Sequence, residues 1–336
     1  MKAATIFGPG DVRIVDETSR PPAPLEVVLR VDLVGICATD VHILHGEFPT
    51  AVYPIRPGHE VTGTVIELGA EVSTLTLGTR VAIDPAMPCS TCALCRDGRP
   101  NLCENRKAFG VSLPGGAAEK LTLPAANCYP VAASTPASAA VLAEPLACVI
   151  HALDLVRSPA GMDVLIYGAG TVGLLATYVA RHLGAASVTV IDLKPQRAAQ
   201  AMRAGATASA ASAAEVSSGE ESMEQWPLVI DATGAPAAIE DGLTRIARGG
   251  TYLQIGVAPP ERTVALSPYN VFARELTIVG SMTTRNSFPR AITLLDSGYI
   301  DSDLITGEPI PLNEYSSAIE KAGSGETPKV VLDPNR

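Results

Sequence analysis

The hexapeptide Gly168-Ala169-Gly170-Thr171-Val172-Gly173 restricts the fold of this chain more than any other stretch. It follows an apolar run, Asp163 to Tyr167, and opens an Ala- and Leu-rich segment, Thr171 to Leu183. A glycine pattern placed between a buried strand and a helix is the turn of a dinucleotide-binding βαβ unit. The first glycine permits the tight turn, the second lets the backbone approach a pyrophosphate, and the third lets helix pack on strand. The helix N-terminus adds oriented N–H groups and a favourable dipole for phosphate. Asp192 ends the next apolar run, nineteen residues past Gly173, where a carboxylate accepts hydrogen bonds from a ribose diol and repels a 2′-phosphate. NAD is therefore expected over NADP, with Arg197 at the ribose edge as the residue that keeps NADP as the lesser alternative. Thr233-Gly234 and Ile255-Gly256-Val257, each at the end of a later strand, are expected to line the same crevice.

The rhythm around this turn is strand, helix, strand. Ser187 to Asp192, Pro227 to Asp231, Thr251 to Ile255 and Leu276 to Gly280 read as strands, and Pro195 to Ala204 and Pro236 to Arg248 as helices. Such crossovers imply a doubly wound parallel sheet, of α/β class. Residues 206–218 are mostly small side chains with no clear period. The first part of the chain differs: Lys2 to Phe7, Glu26 to Val34, Val61 to Leu68, Arg80 to Ile83 and Glu119 to Leu123 are short β-branched runs separated by Gly and Pro turns, as in a small antiparallel barrel. Helices around Phe288 to Leu295 and Glu314 to Ala322 and a last strand, Lys329 to Leu332, are too few for a core of their own. The expected organisation is a barrel over 1–145, an α/β domain over 146–282 and a C-terminal return to the barrel over 283–336.

The excursion from about 84 to 105 has no apolar core. It carries Cys89-x-x-Cys92-x-x-Cys95-x7-Cys103, a spacing that satisfies tetrahedral thiolate coordination of a structural zinc, which would fold the lobe. An iron–sulfur cluster is the alternative, although no redox partner motif stands nearby. A second constellation is spread along the barrel. Gly35-Ile36-Cys37-Ala38-Thr39-Asp40-Val41-His42 follows a strand, Gly58-His59-Glu60 precedes another, and Glu144 stands where the barrel gives way to the α/β half. A Cys, a His and a carboxylate around one zinc leave a position for water or substrate. On a strand, neighbouring His59 and Glu60 point to opposite faces, so one can ligate while the other supports.

The net charge of −10, with no basic run, argues against nucleic acid or an anionic membrane as partner. No stretch of about 18 apolar residues occurs, and the N-terminus reaches Gly8-Pro9 before a signal-length apolar segment accumulates, so a soluble, cytoplasmic protein is expected.

With Cys37, His59-Glu60, the four-cysteine lobe, Glu144 and the glycine fingerprint in this order, the chain resembles the zinc-dependent medium-chain alcohol dehydrogenases over essentially its whole length. The resemblance implies a chaperonin-10-like barrel joined to a Rossmann domain. It implies Cys37 and His59 as catalytic zinc ligands, with Glu60 or Glu144 in place of a second thiolate, as in the polyol branch. It further implies Thr39 as the hydroxyl that hydrogen-bonds the substrate alcohol and His42 as the histidine that passes the proton outward through the nicotinamide ribose. Asp40 would orient His59. The implied activity is hydride transfer from a secondary alcohol, a polyol or vicinal diol, to NAD. Threonine or a simple secondary alcohol is the alternative substrate, and an inactive nucleotide-binding homologue the alternative class. Where animal sorbitol dehydrogenases carry an Arg-Tyr pair, this chain reads Thr283-Thr284, with Arg285 adjacent but shifted. Phe48, Tyr53 and Phe109 are candidate pocket walls. The resemblance also implies a homotetramer or homodimer, with 276–279 as a candidate edge strand.

Overall fold

The computed structural model describes residues 1–48, 51–216 and 225–336. The chain forms two compact units, one of residues 1–147 with 284–336 and the other of residues 148–283.

The first unit is built on the strand Glu26–Ile36, which is buried along most of its length and interrupted only by Arg30 and Asp32 after its first residue. It pairs antiparallel with Glu60–Leu68 on one side. On the other side its first half pairs with Lys120–Pro124 and its last residues with the C-terminal strand Val330–Asp333. Arg80–Ile83 and Cys128–Pro130 extend the sheet beyond Glu60–Leu68, and Ile310–Pro311 extends it beyond Val330–Asp333. Val27, Leu29, Val31, Val65, Val81, Leu121, Leu123 and Leu332 fill the interior. The C-terminal segment thus belongs to the barrel because its strand completes the sheet at the end where Cys37 follows. Gly35 faces Glu60 on one side and Val331 on the other, so three strands converge within two residues of the cysteine.

Two elements of this unit carry weak sequence signals. Asp11–Asp16 pairs with Lys2–Gly8 across the Gly8-Pro9-Gly10 turn, yet its exposed polar residues hide the alternation. Ala38–His45 is a helix that closes on Gly46 at a φ of 76°. The excursion over 84–105 has only short elements: Ala86–Met87, Ala93–Arg96 and the 3-10 turn Pro100–Leu102.

The second unit holds a six-stranded sheet in which every pairing is parallel, in the order Ala208–Ala210, Ser187–Ile191, Asp163–Tyr167, Trp226–Asp231, Ile246–Gln254, Thr277–Gly280. The first strand in sequence lies inside and the order reverses beside it, which is the doubly wound arrangement. The helix expected over 236–248 ends at Thr244 instead. Ile246 is fully buried opposite Trp226, and burying that β-branched side chain in the sheet outweighs another helical turn. The small-residue stretch contains the strand Ala208–Ala210; its last two residues, 217 and 218, lie outside the described residues. A helix not expected from periodicity, Pro268–Arg274, starts on a proline with Ser267 Oγ accepting the Asn270 N–H, an N-cap that stabilises a short segment. No helix among the described residues is long and apolar enough to cross a membrane.

Candidate active site

Cys37 stands at the end of its strand and at the start of the helix Ala38–His45, and His59 immediately precedes the neighbouring strand Glu60–Leu68. Antiparallel pairing brings them together. Ligand atoms of Cys37, His59 and Glu60 lie within 4.8 Å of one another. His59 and Glu60 are 7% and 1% exposed. Asp40 holds the two turns: its carboxylate accepts the Cys37 N–H at 2.8 Å through one oxygen and the Gly58 N–H at 3.2 Å through the other. The second oxygen is 3.8 Å from His59 Nδ1, too far for a hydrogen bond. Asp40 therefore positions His59 chiefly through the backbone.

The site is strongly negative. Burial alone would push the His59 pKa down, yet Asp40, Cys37 and Glu144 outweigh it and lift it well above the ordinary value. Glu144, 9% exposed in the first turn of the helix Ala143–Asp154, is also within electrostatic reach of Lys329. A thiol, an imidazole and carboxylates gathered in a buried place with surplus negative potential form a donor set suited to zinc. Cys37, His59 and Glu60 are the residues placed to hold it, with Glu144 beside them.

Sequence reasoning did not single out Lys329. It is 4% exposed, and its Nζ donates to Glu60 Oε1 at 2.7 Å and to the Ile36 carbonyl at 3.2 Å. Tyr315 was also missed. Its hydroxyl is buried with no hydrogen-bond partner among the described residues, and burial beside Asp40 keeps it protonated. The only sequence signal for Lys329 is a charge leading an apolar strand.

Thr39 and His42 lie one turn apart on the same helix face. Thr39 Oγ1 is 3.7 Å from Cys37 Sγ, which places the hydroxyl beside a ligand position. Phe48 and Tyr53 pack with Ile6, Ile43 and Ile55, and Phe109 belongs to the barrel core. Arg285 and Thr284 line a small cavity with Asp84, Pro100 and Asn101, so Arg285 faces the cysteine lobe.

In that lobe Cys89, Cys92, Cys95 and Cys103 bring their sulfurs within 4.8 Å. Backbone N–H groups of Cys92 and Cys89 point at Cys89 Sγ and Cys103 Sγ, each at 3.3 Å. The backbone and hydroxyl of Thr91 help to push the Cys89 thiol down to about 5, while burial and the adjacent thiols push Cys95 up to about 12. One thiolate forms readily at Cys89, and Cys95 resists becoming a second. A divalent cation relieves that conflict, so the four sulfurs fit a closed zinc site.

The nucleotide fingerprint occupies the turn after Asp163–Tyr167. Gly168 has a φ of 94°, and a Cβ there would meet Thr233 Cγ2 at 2.8 Å. A Cβ on Gly173 would lie 1.8 Å from the Gly168 carbonyl oxygen. At Gly170 the nearest atom is Arg197 Nη1, 3.8 Å away, so this glycine is not demanded by protein packing. It leaves space of the kind a pyrophosphate uses. Thr171 and Val172 open the helix Thr171–His182. Asp192 Oδ2 accepts the Ala169 N–H at 2.7 Å and Oδ1 the Lys194 N–H at 2.8 Å. Each oxygen keeps a further lone pair for a ribose hydroxyl.

At the adjacent strand ends, Asp231 was not anticipated. This fully buried carboxylate accepts the Thr233 N–H, the Gly234 N–H and the Gln254 amide. It ties 233–234 to 254–257, and Gly234 and Gly256 approach so closely that neither tolerates a Cβ. Ile255 N–H bonds the Asp231 carbonyl at 2.9 Å, and Val257 is 79% exposed.

Comparison with known proteins shows the family. Residues 23–133 match the alcohol dehydrogenase GroES-like domain and residues 171–297 the zinc-binding dehydrogenase domain. D-arabinitol dehydrogenase 1 of Uromyces fabae is 34% identical over 92% of this chain and 90% of its own. D-altritol 5-dehydrogenase of Agrobacterium fabrum is 35% identical over 87% of each. The crystal structure of a zinc-binding dehydrogenase from Sinorhizobium meliloti, bound to NADP, superposes with a TM-score of 0.95 at 31% identity over 99% of both chains. The chain belongs to the zinc-dependent medium-chain alcohol dehydrogenases, in the branch that holds polyol dehydrogenases.

Proposed function

We propose that this enzyme oxidises a secondary hydroxyl of a polyol or other vicinal diol, with NAD as hydride acceptor. The observation that carries the reading is the joining of Cys37, His59 and Glu60 within 4.8 Å, with Thr39 Oγ1 3.7 Å from the cysteine. Zinc held by these residues would supply a Lewis acid that makes a substrate hydroxyl more acidic, and the nicotinamide would supply the hydride acceptor. The chain's own groups do the rest. Thr39 Oγ1 accepts the hydrogen bond of the substrate hydroxyl and passes its proton on, and His42 takes it up one helical turn away. Asp40 keeps Cys37 and His59 in register. Lys329 holds Glu60, and Glu144 adds negative charge that favours the dication.

NAD is favoured over NADP by Asp192, which is anchored by two backbone N–H groups and would face a 2′-phosphate with like charge. The homologous structure holding NADP makes the reverse preference the one to test against. Polyols are favoured by the arabinitol and altritol enzymes among the relatives, and Thr283-Thr284 in place of an Arg-Tyr pair argues for a substrate other than sorbitol. We further infer a homo-oligomer. The strand Thr277–Gly280 lies at the sheet edge, Ile278 is 45% exposed, and Phe272 just before it is 81% exposed.

The test is a panel of pentitols, hexitols, vicinal diols, threonine and simple secondary alcohols, each with NAD and NADP, read as formation of the reduced cofactor. The expected result is highest kcat/KM with a polyol or vicinal diol and NAD. Full activity and full metal content in Cys37→Ser, or no turnover of any hydroxyl substrate by zinc-loaded protein, would overturn the assignment.

A further inference from the structure

The helix that carries Thr39 and His42 ends in a turn that folds back on itself. Gly46 adopts a φ of 76°, and the Glu47 N–H returns to the His42 carbonyl at 2.9 Å. This closure brings the Glu47 carboxylate onto the side chain it has just passed: Oε2 lies 2.7 Å from His42 Nδ1. Only glycine enters the left-handed region without steric cost, so Gly46 is what allows residue 47 to reach residue 42.

A carboxylate accepts and does not donate, so the ring nitrogen facing it carries the hydrogen. In a neutral imidazole the other nitrogen, Nε2, then holds the lone pair. Free imidazole side chains in water favour the opposite tautomer, with the proton on Nε2. We infer that Glu47 is a positioning residue for the reaction: it holds His42 in the Nδ1–H tautomer and directs the basic Nε2 away from the carboxylate, toward the proton to be removed. The inference rests on the role proposed for His42. The logic is that of a carboxylate that orients a catalytic histidine, but both partners are partly open, with side-chain exposures of 39% for His42 and 58% for Glu47. The effect is correspondingly smaller than in a buried triad. Proton bookkeeping is simple: Nε2 gains the substrate proton, the cation is paired by Glu47, and the proton then leaves to water.

The experiment uses zinc-loaded protein with ¹⁵N-labelled histidine. The chain has five histidines, and His42→Ala identifies the signals of residue 42. With the ring neutral, the wild type is expected to show the Nδ1–H tautomer and Glu47→Ala the Nε2–H tautomer. Glu47→Ala is expected to lower kcat about two- to fivefold, the range for an exposed ion pair, and to have no further effect in a His42→Ala background. An Nε2–H tautomer in the wild type overturns the inference, as does an equal loss of kcat from Glu47→Ala with and without His42. Failure of the relay role itself reads differently: His42→Ala would keep full kcat while the tautomer still switched on Glu47→Ala, and Glu47 would then orient a ring that the reaction does not use.

Discussion

Lys329 Nζ donates to Glu60 Oε1 at 2.7 Å and lies 2.6 Å from Oε2, inside the barrel and 269 residues away in sequence. Both side chains are almost fully buried. Such a pair contributes little net stability when intact and costs much when one partner is removed, because the other charge is left without compensation. In metal-free protein Lys329→Met is expected to cost about 3–5 kcal/mol, read from urea unfolding. The double variant Lys329→Met/Glu60→Gln should recover most of that loss. A double variant as unstable as the single one would show that the loss comes from packing of the lysine stem.

Gly35 stands opposite Glu60 in the antiparallel ladder, and a Cβ there would lie 2.1 Å from Glu60 Oε2 and 3.1 Å from its Cβ. The glycine is thus the floor on which the carboxylate lies. Gly35→Ala should displace Glu60 from both Lys329 and the neighbouring Cys37 and His59. Loss of a group that supports metal ligands typically costs 10–100-fold in affinity, and about that loss is expected here in competition with a chromophoric chelator. Unchanged zinc affinity would remove Glu60 from the catalytic metal site.

How much of this was readable beforehand follows from the range of the interactions. The fingerprint glycines and the four cysteines are local, since their spacing is itself the geometry, and the parallel sheet follows from the alternation of elements. Cys37 and His59 are distant in sequence but are rare residue types at strand ends, so their chemistry shows before their contact does. Lys329, Tyr315 and Asp231 act through register or through the closeness of strand ends, and no local pattern announces either. Pairing of Val331 with Gly35 decides that Lys329 points at Glu60, and a slip of one residue would have put it outside. The early stop of the helix at Thr244 had the same origin, a buried Ile246 claimed by the sheet.

Asp192 anchors the fingerprint turn through Ala169 and its own helix entry through Lys194. Asp192→Ala should lower kcat/KM for NAD about tenfold, equal to roughly 1.4 kcal/mol of lost hydrogen bonding to the cofactor. The loss for NADP should be smaller, because a repulsion disappears at the same time. Initial rates with both cofactors give the ratio directly. An equal loss for the two would assign Asp192 to holding the turn alone.

Metal removal should separate the cysteines by environment. Chelation under mild conditions is expected to expose Cys37 and the lobe sulfurs of Cys89, Cys92, Cys95 and Cys103 to an aromatic disulfide reagent, with Cys89 first because its thiol is pushed down to about 5. Burial pushes Cys128 up to about 12, so it should stay silent until the barrel unfolds. Mass spectrometry after timed labelling checks the order. Rapid labelling of the lobe in zinc-loaded protein would argue against a closed metal site there.

The strand Thr277–Gly280 pairs with Ile246–Gln254 on one side only, and its outer edge has no strand neighbour among the described residues. Ile278 is 45% exposed on it, and the preceding helix presents Tyr269 and Phe272 at 74% and 81% exposure. An edge with an open ladder and apolar side chains is a template for another strand unless something covers it. A second copy of the same strand, related by a two-fold axis, satisfies both the ladder and the apolar surface. Ile278→Lys puts a charge at the centre of that contact without touching the zinc or nucleotide residues. Sedimentation should then show half the wild-type mass, with zinc content and far-ultraviolet circular dichroism unchanged. An assembly of undiminished mass would place the interface elsewhere on the molecule.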